Sequence, residues 1–262
     1  MEQHKKIITV REKEIGGNQP LICTPLIGAY FDQVMDEVEN ICQKQPDMIE
    51  WRADFFKGLD DTHQVIHTVS KIREAVGETP LIFTIRSEKE GGQPISLAEK
   101  EKVQLFADVC KSGQVDIIDY ELVNNVEDIQ YLRQVSREFG VHMIMSYHNF
   151  ESTPGASAII EKLLRAEFYG ADVAKVAVMP KSQEDVLVLL KATEDAYKLL
   201  KIPMVTMSMG GLGAITRMFS WVFGSNITFA IGHQGSAPGQ IPIEDLKSVI
   251  QITQRSLGNG HN

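Results

Sequence analysis

The chain has 262 residues, of which 43% are hydrophobic and 23% charged, with a formal net charge of -9 and a sequence pI near 5.3. The composition is that of a globular chain with a sizeable core, and the length suits one α/β barrel of about 250 residues. The acidic balance argues against nucleic acid and anionic membrane as partners, and Cys23, Cys42 and Cys110, odd in number and without a CxxC pair, indicate neither a disulfide framework nor a thiolate metal site.

The first residues, MEQHKKIITVREKE, contain no apolar leader, and no later run reaches the length of a membrane span, so a reducing cytoplasm is the expected location. KIITVREKEIGG reads as a β-hairpin closing the floor of a barrel. Eight short apolar runs follow in order: LICTPLIG (21–28), DMIEWRAD (47–54), PLIFTIRS (80–87), DIIDYEL (116–122), VHMIMSYH (141–148), DVAKVAV (172–178), IPMVTMSM (202–209) and ITFAIG (227–232). Most are nearly continuous hydrophobics, as in parallel strands covered on both faces. Between them lie amphipathic stretches such as FDQVMDEVENICQK, SLAEKEKVQLFADVCKSG and VEDIQYLRQVSREFG, the last ending on Gly140, a helix stop. Eight strand–helix units at a spacing of roughly 25–35 residues predict a single (β/α)8 TIM barrel over residues 1–262. An open doubly wound sheet fits less well, because LIGAYFDQ after the first strand lacks the GxGxxG turn.

In such a barrel the chemistry sits at the C-terminal ends of the strands. Lys175 stands out, embedded among alanines and valines in DVAKVAV. A buried ammonium must be paired or neutralised, and a neutral amine there would form an imine with a carbonyl. The bland alternative is an ion pair with Glu50 or Glu121. His148 ends the fifth strand, where an imidazole suits proton transfer, whereas His142 starts that strand and belongs at the opposite end. His4, His63, His67 and His261 have no comparable placement. Arg52, Arg86 and Arg217 on one rim of an acidic chain suit the grip of a carboxylate or phosphate. Met207 and Met209 are expected to face inward. SMGGLG (208–213) reads as a tight strand-to-helix turn rather than a phosphate cradle, and HQGSAPGQ (233–240) as a loop able to cover the mouth.

Taken together, IEWRAD (49–54), FTIRS (83–87), MSYHNF (145–150), AKVAVMP (174–180), TMSMGGLGAITR (206–217), VFGSNITFA (222–230) and GSAPGQ (235–240) resemble the type I 3-dehydroquinate dehydratases of the shikimate pathway. The resemblance implies that Lys175 forms a Schiff base with the substrate's C3 carbonyl. It implies that His148 takes the C2 proton and returns one to the departing C1 hydroxyl, with Glu90 orienting it. Glu50, Arg52 and Arg86 are implied to hold ring hydroxyls, Arg217 the carboxylate, and Ser236 and Gln240 to act from the lid. It further implies a homodimer that needs no metal or organic cofactor. The chain departs from the family at IGHQ (231–234), where a lysine is expected. A class I aldolase would use the same kind of lysine with a phosphate site, and a catalytically silent metabolite-binding barrel would keep the arginines without needing Lys175 and His148.

Overall fold

The computed structural model describes residues 7–17 and 19–258; residues 1–6, Asn18 and 259–262, and with them His4 and His261, lie outside the described residues. Eight parallel strands form the barrel wall: β3 (Leu21–Leu26), β4 (Met48–Arg52), β5 (Leu81–Thr84), β6 (Ile117–Glu121), β7 (His142–Asn149), β8 (Val173–Val178), β9 (Met204–Ser208) and β10 (Ile227–Ile231). Each neighbours the next, from β3 to β9, and β10 pairs with β3. A two-residue strand, β11 (Ile241–Pro242), extends β10 on its other side and leads into the last helix, α8 (Ile243–Gly258), an addition the sequence reading did not include. The remaining helices are α1 (Phe31–Gln43), α2 (Thr62–Val76), α3 (Glu99–Lys111), α4 (Val126–Glu138), α5 (Ala156–Phe168), α6 (Gln183–Leu199) and α7 (Gly210–Phe219). The glycines after β9 run directly into α7, as the turn reading expects.

Period-two alternation sorts the strand residues into two cores. Ile49, Trp51, Phe83, Ile118, Tyr120, Met143, Ala174 and Val176 point outward and pack under the helices. Rings there follow one another edge-on, Phe56, Trp51, Phe83, Phe106 and Tyr120, at 5.3–5.6 Å between centroids, the arrangement favoured by aromatic quadrupoles. Met48, Ile82, Ile117, Ile144, Val173, Val205 and Ile227 point inward and fill the lower barrel. The hairpin of β1 (Ile8–Val10) and β2 (Lys13–Ile15) adds Ile8, Val10 and Ile15 to this cluster, so it stoppers the floor as expected.

Four equivalent clasps join the strands in pairs at that floor. The residue just before β4, β6, β8 and β10 is Asp47, Asp116, Asp172 and Asn226 respectively. Each side chain accepts the backbone N–H of the preceding strand's start: Ile22 (3.0 Å), Leu81 (2.8 Å), Met143 (3.0 Å) and Met204 (3.0 Å). Each clasp residue's own N–H donates back to the carbonyl of that same partner. The three carboxylates are neutralised locally. Lys13 and Arg11 of the hairpin reach Asp47 and Asp116 (both 2.7 Å), Arg73 also meets Asp116, and Arg133 meets Asp172 (2.9 Å). Asn226 has no cationic partner among the described residues, which fits its being the uncharged member.

Closure between β9 and β10 depends on this fourth clasp. One isolated parallel bridge joins Met204 of β9 to Ser225, two residues before β10, and Ser225 Oγ accepts the Thr206 N–H at 3.0 Å in place of a ladder bond. Asn226→Ala would leave the buried Met204 N–H without its acceptor. We expect a loss of about 1–3 kcal/mol in chemical denaturation, with amide exchange accelerated at Met204 and Thr206 before the rest of the wall.

Candidate active site

Above the apolar floor, the inward positions of the same strands turn polar. Glu50 and Arg52 lie above Met48, Thr84 and Arg86 above Ile82, Asp119 and Glu121 above Ile117, Ser146 and His148 above Ile144, and Lys175 above Val173. A cavity at the C-terminal end of the barrel is lined by Glu50, Arg52, Arg86, Glu90, His148, Lys175, Arg217, Ser236 and Gln240. Every site residue expected from the sequence therefore meets in one place. Ala177, Met207, Met209, Phe150 and Phe229 complete its apolar wall, both methionines facing inward as expected.

Lys175 is buried, and its ammonium donates to Asp119 Oδ2 at 2.8 Å, with Glu50 Oε1 at 3.9 Å. Its Nζ also lies 4.4 Å from the Phe229 ring centroid, within cation–π range. Of the two ion-pair partners named from the sequence, Glu50 is present at the longer distance. Glu121 instead faces Arg86 (3.4 Å) and accepts the Ser87 N–H (2.7 Å). Asp119, the dominant partner, went unnamed. Its signal was parity: in DIIDYEL it lies on the same strand face as Glu121, and in a closed barrel that face is inside.

Arg86 ties the centre together. It donates to Asp119 Oδ1 (2.8 Å), to Ser146 Oγ (2.7 Å) and to Glu121, while Ser146 donates to Asp119 Oδ1 at 2.6 Å. Burial opposes the Arg86 charge, but Asp119, Glu121 and Glu90 outweigh it and hold the guanidinium above its ordinary pKa. Burial likewise opposes ionisation of Asp119, yet Arg86 and Lys175 keep its carboxyl far below the usual range. Asp54, also unnamed from the sequence, takes the Nε and Nη2 donors of Arg52 at 2.8 Å each and accepts the backbone N–H of Arg86. This pair fixes Arg52 at the rim.

His148 sits at the mouth end of β7. Its ring Nδ1 lies 2.8 Å from Glu90 Oε2, which also accepts the His148 backbone N–H at 3.0 Å. With Glu90 ionised, Nδ1 carries the ring proton and Nε2 is left as a base. Glu90 reaches this position from a single 3-10 turn, Glu88–Glu90, that ends on Gly91 at φ 83°. A Cβ on Gly91 would lie 2.2 Å from the Phe150 ring, so only glycine fits there. Burial, then the nearby Arg86 and Lys175 charges, press the imidazole well below its usual 6.5, whereas burial lifts the Glu90 carboxyl to about 8 against the pull of Arg86. The two titrate as one unit.

Arg217, on α7, differs from the other cations. It is 1% exposed, and its donors meet the Met207 sulfur (3.4 Å) and the Pro238 carbonyl (3.1 Å). It has no carboxylate partner among the described residues, its Nε is unpartnered, and burial lowers it to about 10. A desolvated guanidinium without a counter-ion is a receptor for an anionic ligand. The loop 233–240 lies over it: the Gly210 N–H also donates to the Pro238 carbonyl, and Gly239 (φ 74°) packs where a Cβ would be 2.2 Å from the Gly210 carbonyl oxygen. Gln240 Oε1 accepts the Ser236 N–H at 2.8 Å, which folds the loop tip. His233 lines a separate hollow with Glu37 and Asp36.

A family model described as "Type I 3-dehydroquinase" matches residues 22–256. The 3-dehydroquinate dehydratase of Geobacillus sp. strain WCH70 is 56% identical over 260 residues, covering 99% of this chain and all of that one. Among solved structures, the 3-dehydroquinate dehydratase of Geobacillus kaustophilus superposes with a TM-score of 0.95 at 51% identity, covering 97% of this chain and 99% of that one. The type I 3-dehydroquinate dehydratase of Clostridium difficile, solved with covalently modified comenic acid, gives a TM-score of 0.93 at 36% identity over the same shares.

Arg217→Ala should weaken binding of a small hydroxycarboxylate by about 2–5 kcal/mol, the usual loss when one partner of a buried charge pair is removed. Arg217→Lys should recover only part, because an ammonium lacks the planar two-point grip. Calorimetric titration of the two variants against the unsubstituted chain measures both effects.

Proposed function

We propose that this chain, which belongs to the type I 3-dehydroquinase family and dehydrates 3-dehydroquinate, works through an imine on Lys175 with His148 as general acid and base. The observation that carries this reading is a buried amine in the polar cavity at the C-terminal end of the barrel, on the strand next to the one bearing an imidazole held below its usual pKa, with a guanidinium that has no carboxylate partner among the described residues lining the same cavity. The covalently modified comenic acid in the Clostridium difficile relative is in keeping with covalent chemistry at such a site.

The chemistry follows from these groups. Arg217 takes the substrate carboxylate, and Glu50, Arg52 and Arg86 face the ring hydroxyls. The Lys175 nitrogen adds to the C3 carbonyl carbon, and the carbonyl oxygen departs as water to leave an iminium. His148 Nε2 then removes the C2 proton, and the C–H electron pair moves into the ring as an enamine, a much easier step than forming an enolate. The enamine expels the C1 hydroxyl, which leaves as water with the proton His148 holds. Water then adds to the product iminium, releasing 3-dehydroshikimate and restoring the amine. Glu90 keeps the ring aimed throughout, and Ser236 and Gln240 close the mouth so that the charges act in a dry site. The same reading takes residues 1–262 as one catalytic domain working as a cytoplasmic homodimer without cofactor. Among the described residues no helix is long and apolar enough to cross a membrane.

Borohydride added with 3-dehydroquinate should inactivate the protein and leave one reduced adduct, located on Lys175 by peptide mass spectrometry. Full activity in Lys175→Ala, or an adduct elsewhere, would sink the imine. His148→Ala should still bind substrate while turning over about 10²–10⁴-fold more slowly.

The pH dependence tests the pairing of His148 with Glu90. The base is the deprotonated pair, and the Glu90 carboxylate favours proton uptake by the pair; kcat/KM should therefore fall on acidification as the pair takes up its proton, from about 8 downward. Removing the carboxylate leaves an imidazole among cations, which protonates only below 6.5. Glu90→Gln should accordingly move the acid limb of kcat/KM to lower pH; a limb that stays in place would separate Glu90 from the proton transfers.

A further inference from the structure

We propose that Asp119 is a positioning residue for the condensation step, holding the Lys175 nitrogen at the substrate carbonyl and providing the fixed negative charge against which the iminium forms. The inference rests on Lys175 being the condensing amine.

The geometry divides the two oxygens of Asp119 between two tasks. Oδ1 is held from two directions, by Arg86 Nη2 at 2.8 Å and Ser146 Oγ at 2.6 Å, and these two holders are themselves joined at 2.7 Å. Oδ2 is left to Lys175 alone, at 2.8 Å. The carboxylate side chain is fully buried, and β6 presents it toward β8 from across β7, so nothing but a shift of the wall would relocate it. By comparison, Glu50 is more than 1 Å further from the nitrogen and accepts the Thr84 hydroxyl.

The charge balance of the reaction assigns the work. Condensation of R–NH2 with a ketone, with uptake of one proton, gives the iminium R–NH⁺=C and releases the carbonyl oxygen as water. The nitrogen thus begins and ends that step in cationic form, first as ammonium and then as iminium, and passes through a neutral amine between them. A fixed anion beside it gives the iminium the counter-ion that the ammonium had, and costs no reorganisation because Arg86 and Ser146 hold it in place beforehand. The mechanism above uses Asp119 for no proton: with Arg86 and Lys175 against it, its carboxyl stays ionised.

The test compares the unsubstituted chain with Asp119→Asn and Ser146→Ala. Each is quenched with borohydride on 3-dehydroquinate at fixed times, and the adduct is located by digestion. Binding of quinate, which keeps the carboxylate and hydroxyls but has no ketone to condense, is titrated in parallel. Asp119→Asn keeps shape and removes charge; we expect adduct on Lys175 and kcat to fall at least about tenfold, consistent with couplings measured for close buried charge pairs, while quinate affinity changes less than about threefold. Ser146→Ala loosens Oδ1 but leaves the charge, and we expect a smaller, several-fold fall in adduct of the same selectivity. Adduct on Lys175 in Asp119→Asn at the level of the unsubstituted chain overturns the proposal, as does a parallel loss of quinate binding, which would mark a purely structural role. If Asp119→Asn fails to fold, Ser146→Ala decides, and undiminished trapping there overturns it. An adduct away from Lys175 in the unsubstituted chain would instead overturn the imine reading itself, a separate result.

Discussion

The closed wall imposes one requirement on everything above the floor. An inward side chain in the interior of an eight-stranded barrel meets other inward side chains and little water, so a charge placed there must be answered by another on a neighbouring strand. Arg86 is where that requirement is met. One guanidinium, two residues past the end of β5, binds Asp119 and Glu121 on β6 and Ser146 on β7, and through Asp119 it fixes Lys175 on β8. Four consecutive strands are thus linked by a single hydrogen-bonded chain running across the barrel. The lysine is oriented, burial and the cations beside it hold the histidine below its usual pKa, and Glu90 meets both the histidine and Arg86.

Arg217 stands outside this chain, and the contrast explains how one cavity can hold several cations without losing its affinity for an anion. Arg52 and Arg86 are each bound to carboxylates of the protein, so their charge is largely spent within the wall. Arg217 meets only a thioether and a carbonyl. Among the described residues lining the cavity, the guanidinium without a carboxylate partner is therefore on a helix at one side of the mouth.

Much of this was legible in the sequence because strand parity and strand ends carry it. The near-continuous apolar runs specified parallel strands, their number specified closure, and a lysine in DVAKVAV called for either an ion pair or amine chemistry, of which the ion pair is present with Asp119 and Glu50. The hairpin at the floor was readable from IITV and its turn. What parity implied but the reading passed over was Asp119, because a short acidic residue in mid-strand attracts less notice than one at a strand end. Asp54 was hidden for another reason: it contacts Arg52 only because the chain turns into a 3-10 helix immediately after β4. The lysine expected near the lid has no counterpart in IGHQ, and His233 lies in a hollow away from the cavity, so sequence position alone did not predict where that side chain goes. The clasps at the floor were written in the text as D-M, D-I, D-V and N-I before every second strand, but only the hydrogen bonds show them to be equivalent.

The sparse pairing of β9 with β10 has a consequence for how the mouth accommodates a ligand. Lys175, His148 and Glu90 hang from the arc between β5 and β8, where every strand is laddered to its neighbours over several residues. Arg217 and the loop over it hang from β9 and β10, which the bridge from Met204 to Ser225 joins, with α7 attached to one by Thr216 and to the other by Thr228. The wall is thus fully laddered on the side that carries the lysine and histidine and sparsely paired on the side that carries Arg217. A joint held by one bridge and a side-chain clasp yields before a continuous ladder does, so strain at the aperture reaches the reacting groups last.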